Sequence, residues 1–160
     1  MMRTFFIFTL CVSMPLVVGE FMQYLVLDGV HGWYTTLPKP PFSPHPDIIR
    51  PIWTVLFALM GISFFFIYMS GDSPERRKAL HLFFIQMMLF VAGNILFFRY
   101  HLLGWSMMEM YLVWIYIARM LFAFRLVHYL ATIIQLPYIA VITFIQVISA
   151  TIWYQNNWVQ

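Results

Sequence analysis

Residues 129–154 read YLATIIQLPYIAVITFIQVISATIWY, twenty-six positions without a charged side chain. A bilayer's hydrocarbon core is crossed by roughly 20 apolar residues of helix rising about 1.5 Å each, with every backbone N–H and C=O bonded internally. This stretch meets that requirement alone. Working outward from it, the few remaining charges fall in short clusters that mark off four more apolar stretches, at about 5–27, 47–69, 79–98 and 102–124. The whole chain is 62% hydrophobic and 9% charged over 160 residues, so five spans leave no length for a separate soluble domain. The expected fold is therefore an all-α membrane protein, a single five-transmembrane-helix bundle over 1–160.

The long connection, 28–46, holds five of the nine prolines, at Pro38, Pro40, Pro41, Pro44 and Pro46. The part that holds them, residues 37–46, cannot be helical and has little conformational freedom to lose, so it should form a stiff strap over one membrane face. Asp28 and Gly29 are expected to end the first span, Pro15 to bend it, and Pro137 to interrupt the fifth. Asp72 or Ser73 should cap the third. The start of the chain, Arg3 followed by Phe5 to Leu10, has the look of a signal peptide, but the apolar run continues past Gly19 to Leu27 and reads as a retained span.

Charge and cysteine usage narrow the function classes. A net charge of +3 from so few groups suits anionic lipid headgroups and offers no basic stripe for nucleic acid. Cys11 is the single cysteine, which excludes an intrachain disulfide or a cysteine-built metal site. Five spans put Arg3, Arg76, Arg77, Lys78 and Arg125 on one side and Lys39, Arg50 and Arg99 on the other, favouring a cytoplasmic N-terminus. A bacterial cell membrane is the expected location.

On a helix, residues three and four apart share a face. Trp105, Glu109, Leu112, Tyr116 and Arg119 make one such stripe, with two charges at membrane depth, where charge is costly and normally turns inward. The default for Glu109 is a bond to a neighbouring helix, and for Arg119 a snorkel to the interface. Glu20 is a second intramembrane carboxylate. Gln86, Phe90, Gly93, Asn94 and Phe97 form a partly polar stripe in the third span, and Trp53, Phe57, Met60, Gly61 and Phe64 an aromatic one in the second; both patterns ordinarily serve helix packing. The histidines, His31, His45, His81, His101 and His128, lack metal-binding spacing, though His45 between two prolines is a conceivable haem ligand. No nucleophile elbow, zinc-protease motif or phosphate loop occurs.

Trp33-Tyr34-x-x-Leu37-x-Lys39-Pro40-x-Phe42-x-Pro44, then Pro51-x-Trp53-Thr54 and Met60-Gly61, resembles the signature of the translocator protein family, also called the tryptophan-rich sensory protein or peripheral-type benzodiazepine receptor family. Gln86 with Phe97-Phe98, Gly104-Trp105 with Glu109, and Pro137-Tyr138 with Phe144, Trp153 and Asn156 follow in family order. The resemblance implies a five-helix bundle, often a homodimer, whose pocket under the first long loop binds tetrapyrroles such as protoporphyrin IX or haem; no obligate cofactor is implied. By matching position, Trp53 and Trp105 would be aromatic walls, Ile49 and Ile52 would line the pocket near the strap, and Leu112 would face it. Phe57, Phe90 and Val141 complete the candidate set. Acidic substituents of the ligand would stay near Lys39, Arg50 or water.

Departures from the family pattern bear on activity. Phe90 stands where the family usually has Asn, Gly93 and Val141 where it has Trp, and Ser149 where a late Asn is usual. Some bacterial members are associated with light-dependent breakdown of protoporphyrin involving two tryptophans, at the positions of Trp53 and Val141. Valine is not readily oxidised, which argues against that activity here. The cholesterol motif of animal members requires a basic residue shortly after Tyr154, and none is present. The readings held open are a tetrapyrrole receptor or carrier, a porphyrin-degrading enzyme, and a non-catalytic membrane scaffold.

Overall fold

A computed structural model describes residues 2–156. Its long helices are α1 (Met2–His31), α3 (Pro46–Met69), α4 (Pro74–Asn94), α5 (Leu103–Val127) and α6 (Tyr129–Asn156), and a single short turn, α2 (Trp33–Thr36), sits in the strap. Five of these segments are long and apolar enough to cross a membrane. There are no strands among the described residues.

Local chemistry sets the helix ends. Ser73 caps α4, its Oγ accepting from the Arg76 N–H at 3.1 Å, so Arg76, Arg77 and Lys78 belong to the first turns of the helix. The Arg76 guanidinium then donates to the Ile67 and Tyr68 carbonyls at the end of α3, satisfying acceptors a helix terminus leaves free. Two sequence expectations give way. Asp28 and Gly29 do not end α1, which continues to His31: Val30 is buried with Met22 and Val26, and Gly29 lies against the Phe98 backbone, where a side chain would not fit. Pro15 and Pro137 lie inside continuous helices, so α6 is not interrupted.

The helices pack in the order α1–α3–α6–α5–α4, each antiparallel to its sequence neighbour. Between helices in lipid the driving force is close packing and hydrogen bonding, because lipid tails are as apolar as the side chains. Gly61 accordingly brings α3 against the α1 backbone at Cys11 and Val12. Ser63 Oγ donates to the Ala131 carbonyl at 3.1 Å across α3–α6, and Tyr138 Oη to Gln86 Oε1 at 2.9 Å across α6–α4. Phe83, Ile117, Met120 and Phe124 are completely buried at the end of the bundle that carries Arg76.

The other end is differently built. After Asn94 the chain makes a π-helical turn, Ile95–Arg99, and reaches α5 through His101, whose φ of 57° is left-handed. Trp33 stacks on His101 with centroids 4.0 Å apart and meets Phe97 edge-on at 5.3 Å. Lys39 Nζ donates to the Tyr34 and Thr35 carbonyls, and Asn156 Nδ2 to the Pro38 carbonyl at 3.0 Å. The strap is thus pinned to both the α4–α5 turn and the last turn of α6.

Candidate functional site

Beneath the strap lies a cavity of about 460 Å³. Its floor is aromatic. Trp53 projects from α3 with its ring 4.7 Å from Phe90 of α4 and 6.4 Å from Tyr138 of α6. Phe57 lies below, 5.4 Å from Phe90 and 5.8 Å from Trp53, filling the space that Gly19 leaves on α1. Because Tyr138 is tied to Gln86, the floor rests on a hydrogen bond between two buried side chains.

The roof and walls come from every spanning helix. Tyr34, 5% exposed, closes the top against Ile148 and Ile152 of α6. The π-helical turn turns both Phe97 and Phe98 into the cavity, a use of irregular helix common at binding sites. Ile49 and Ile52 line it from α3, Val141, Ile145 and Ser149 from α6, and Ser106 and Met110 from α5. Gly93 of α4 lines it as well. Behind Gly93 stands the Glu109 carboxylate, so close that a Cβ at Gly93 would collide with it. Neither Glu109 oxygen has a hydrogen-bond partner among the described residues, and the same is true of the Gln23 and Gln146 amides.

The cavity's exposed lining residues fall on either side of the first turns of α3. Towards α6 they are apolar, Ile52 and Phe144. Towards α1 they include charge: Arg50 Nη2 donates to Glu20 Oε2 at 2.7 Å, and Thr54 Oγ1 donates to Glu20 Oε1 at 2.8 Å.

Of the residues nominated from sequence, Ile49, Ile52, Trp53, Phe90 and Val141 lie in the cavity wall, and Phe57 lies one layer below. Trp105 and Leu112 do not reach it; they are 68% and 49% exposed on the outside of α5. The inward face of α5 runs through Ser106, Glu109, Val113 and Ile117. That face is centred about a quarter turn from the Trp105–Leu112 stripe, with Glu109 on the shared edge. Arg119 is exposed, 5.7 Å from the Tyr116 ring. His45 caps α3 outside the cavity wall, its Nδ1 3.2 Å from Asp47 Oδ2, so it is not placed to ligate iron in the cavity. Among the described residues no group of three His, Cys, Asp or Glu could hold a metal.

Sequence reasoning nominated Val141 alone from the α6 wall, missing Phe144, Ile145, Ile148, Ser149 and Ile152, and missed the Gln23, Val26 and Val30 face of α1. A usable signal existed on α1, where Gly19, Met22, Val26 and Val30 recur at helical spacing. On α6 the signal lay in Gln135, Tyr138 and Gln146, polar side chains that mark its buried face in an otherwise apolar helix.

The TspO/MBR family profile matches residues 11–154. The chain is 29% identical over 148 residues to the tryptophan-rich protein TspO of Chlorobaculum tepidum, covering 92% of this chain and 94% of that one. It is 32% identical over 137 residues to the translocator protein of Ovis aries, covering 84% and 80%. To the translocator protein of Homo sapiens it is 27% identical over 152 residues, covering 94% and 88%.

Proposed function

The chain belongs to the TspO/MBR family and is a multi-pass membrane protein, and from that premise we propose that it is a receptor or carrier for a tetrapyrrole or similarly flat apolar ligand. The observation that carries this reading is the cavity itself, with the Trp53 ring at its floor, Tyr34 as its roof and apolar helix faces between. A planar macrocycle gains by stacking on indole and phenyl faces, and a cavity within the 300–1,000 Å³ common to small-molecule sites can enclose much of it. The positive charge count, five basic residues against three, supports an orientation with the Arg76 end in the cytoplasm and the strap on the opposite side. The outward face of α5 at Trp105, Met108 and Leu112 is available to lipid or to a second copy.

Binding without turnover is the preferred form of this reading. Val141 occupies the cavity wall where the resemblance would put a second indole, and among the described residues Trp53 is the one tryptophan in that wall. Illuminating the protein with protoporphyrin separates the two: a shifted but persistent spectrum fits a receptor, and progressive loss of the absorption bands fits an enzyme.

Titration of the detergent-solubilised protein with protoporphyrin IX, followed in the porphyrin absorption band, tests the site. A saturable shift is expected, weakened about tenfold in Trp53→Ala through loss of the stacked ring and unchanged in Trp105→Ala. Absence of saturation, or equal loss in both variants, overturns the reading.

A further inference from the structure

Two cations stand near the mouth of the cavity, and their chemistry differs. Lys39 is occupied: its ammonium donates to two backbone carbonyls of the strap and lies 4.9 Å from the Tyr34 ring centroid. Arg50 lines the cavity and is held by one hydrogen bond, from Nη2 to Glu20. A guanidinium has five N–H donors in a fork that matches a carboxylate in bidentate fashion. The other donors of Arg50 have no partner among the described residues.

Glu20 is itself part of the cavity wall and is held twice, by Arg50 and by Thr54. With side chains 39% and 69% exposed, Glu20 and Arg50 lie at the opening and not in the sealed interior. Trp53 follows Arg50 by three positions, so on α3 the stacking surface and the guanidinium are neighbours one turn apart. A flat ligand resting on Trp53 brings any acidic group on its rim to Arg50. The position that group must take is the one now held by the Glu20 carboxylate.

We propose that Arg50 is the specificity-determining residue of the site, selecting flat ligands that carry a carboxylate, and that Glu20 is the built-in competitor the ligand's carboxylate displaces. Thr54 retains Glu20 after the exchange, so the displaced carboxylate keeps one hydrogen bond. Asp47, the other charged lining residue of α3, is acidic and repels a carboxylate, which leaves Arg50 as the lining residue of α3 that attracts one. This inference rests on the cavity being the ligand site.

The test compares protoporphyrin IX, a diacid, with its uncharged dimethyl ester on the full chain at fixed pH and ionic strength. Arg50→Gln should weaken the diacid roughly fivefold and leave the ester unchanged. Glu20→Gln should act in the opposite direction, tightening the diacid roughly two- to fivefold, again without effect on the ester; these are the sizes expected for one partly exposed ion pair. Retained ester binding also certifies that each variant is folded. If Arg50→Gln moves acid and ester alike, or Glu20→Gln weakens the acid, the proposal is overturned while the cavity reading stands. If neither porphyrin binds the unmodified protein, both fall together.

Discussion

The two ends of the bundle are built on opposite principles. At the Arg76 end, Ile67, Ala79, Phe83, Ile117, Met120, Phe124 and Ala131 are sealed from any solvent, Phe64 and Phe83 meet at 4.7 Å, and Phe66 stacks on His128 at 4.8 Å. At the strap end the same helices enclose a cavity and bridge α1 to α3 with an ion pair where the Gly61 level has backbone contact. Since helices in lipid are held by packing more than by exclusion from water, every void loses dispersion contacts. The comparison teaches that the dense end supplies the stability with which the other end stays open.

The largest expected effect breaks the dense end. Phe83→Ala should cost about 3–5 kcal/mol, seen as a large fall in the detergent melting temperature with loss of ligand binding as a consequence. A small fall would mean that the two ends are not so unequal. Next in size, Val141→Trp fills the open end: porphyrin affinity should drop at least about tenfold by occupancy of the cavity, while the melting temperature holds or rises. Undiminished binding would place the ligand elsewhere. Smallest, Tyr138→Phe removes the bond to Gln86 that joins α6 to α4 under the cavity floor and should cost about 1–2 kcal/mol, with a modest weakening of ligand binding as the Trp53 floor loosens. No change in either measurement would show that the floor is held by ring packing alone.

What the sequence revealed follows from where contrast existed. Charges and prolines stand out against an apolar background, so the spans, the strap and the Ser73 cap were readable. The aromatic face of α3 was readable too, because Gly61 marks it as the side that meets another helix. The inward face of α5 was not. A soluble helix shows its core side by hydrophobicity, but in a bilayer Leu112 facing lipid and Val113 facing the bundle look alike. Glu109 was the useful marker on that helix, and weighting it above Trp105 would have rotated the assignment towards the cavity. Glu20 and Arg50 are 30 positions apart, and no local pattern signals that a side chain of α1 reaches the first turns of α3. The run to His31 was hidden because Gly29 looks like a helix stop when only its neighbours in sequence are considered, and acts as a contact point once Phe98 is present.

The hydrogen bond from Asn156 to Pro38 joins positions 118 apart, in the strap and in the last turn of α6. During biosynthesis the ribosome delivers the roof segment long before the residue that fastens it. The chamber therefore stays unlatched until α6 has been made and inserted, and shutting it follows the assembly of all five spans.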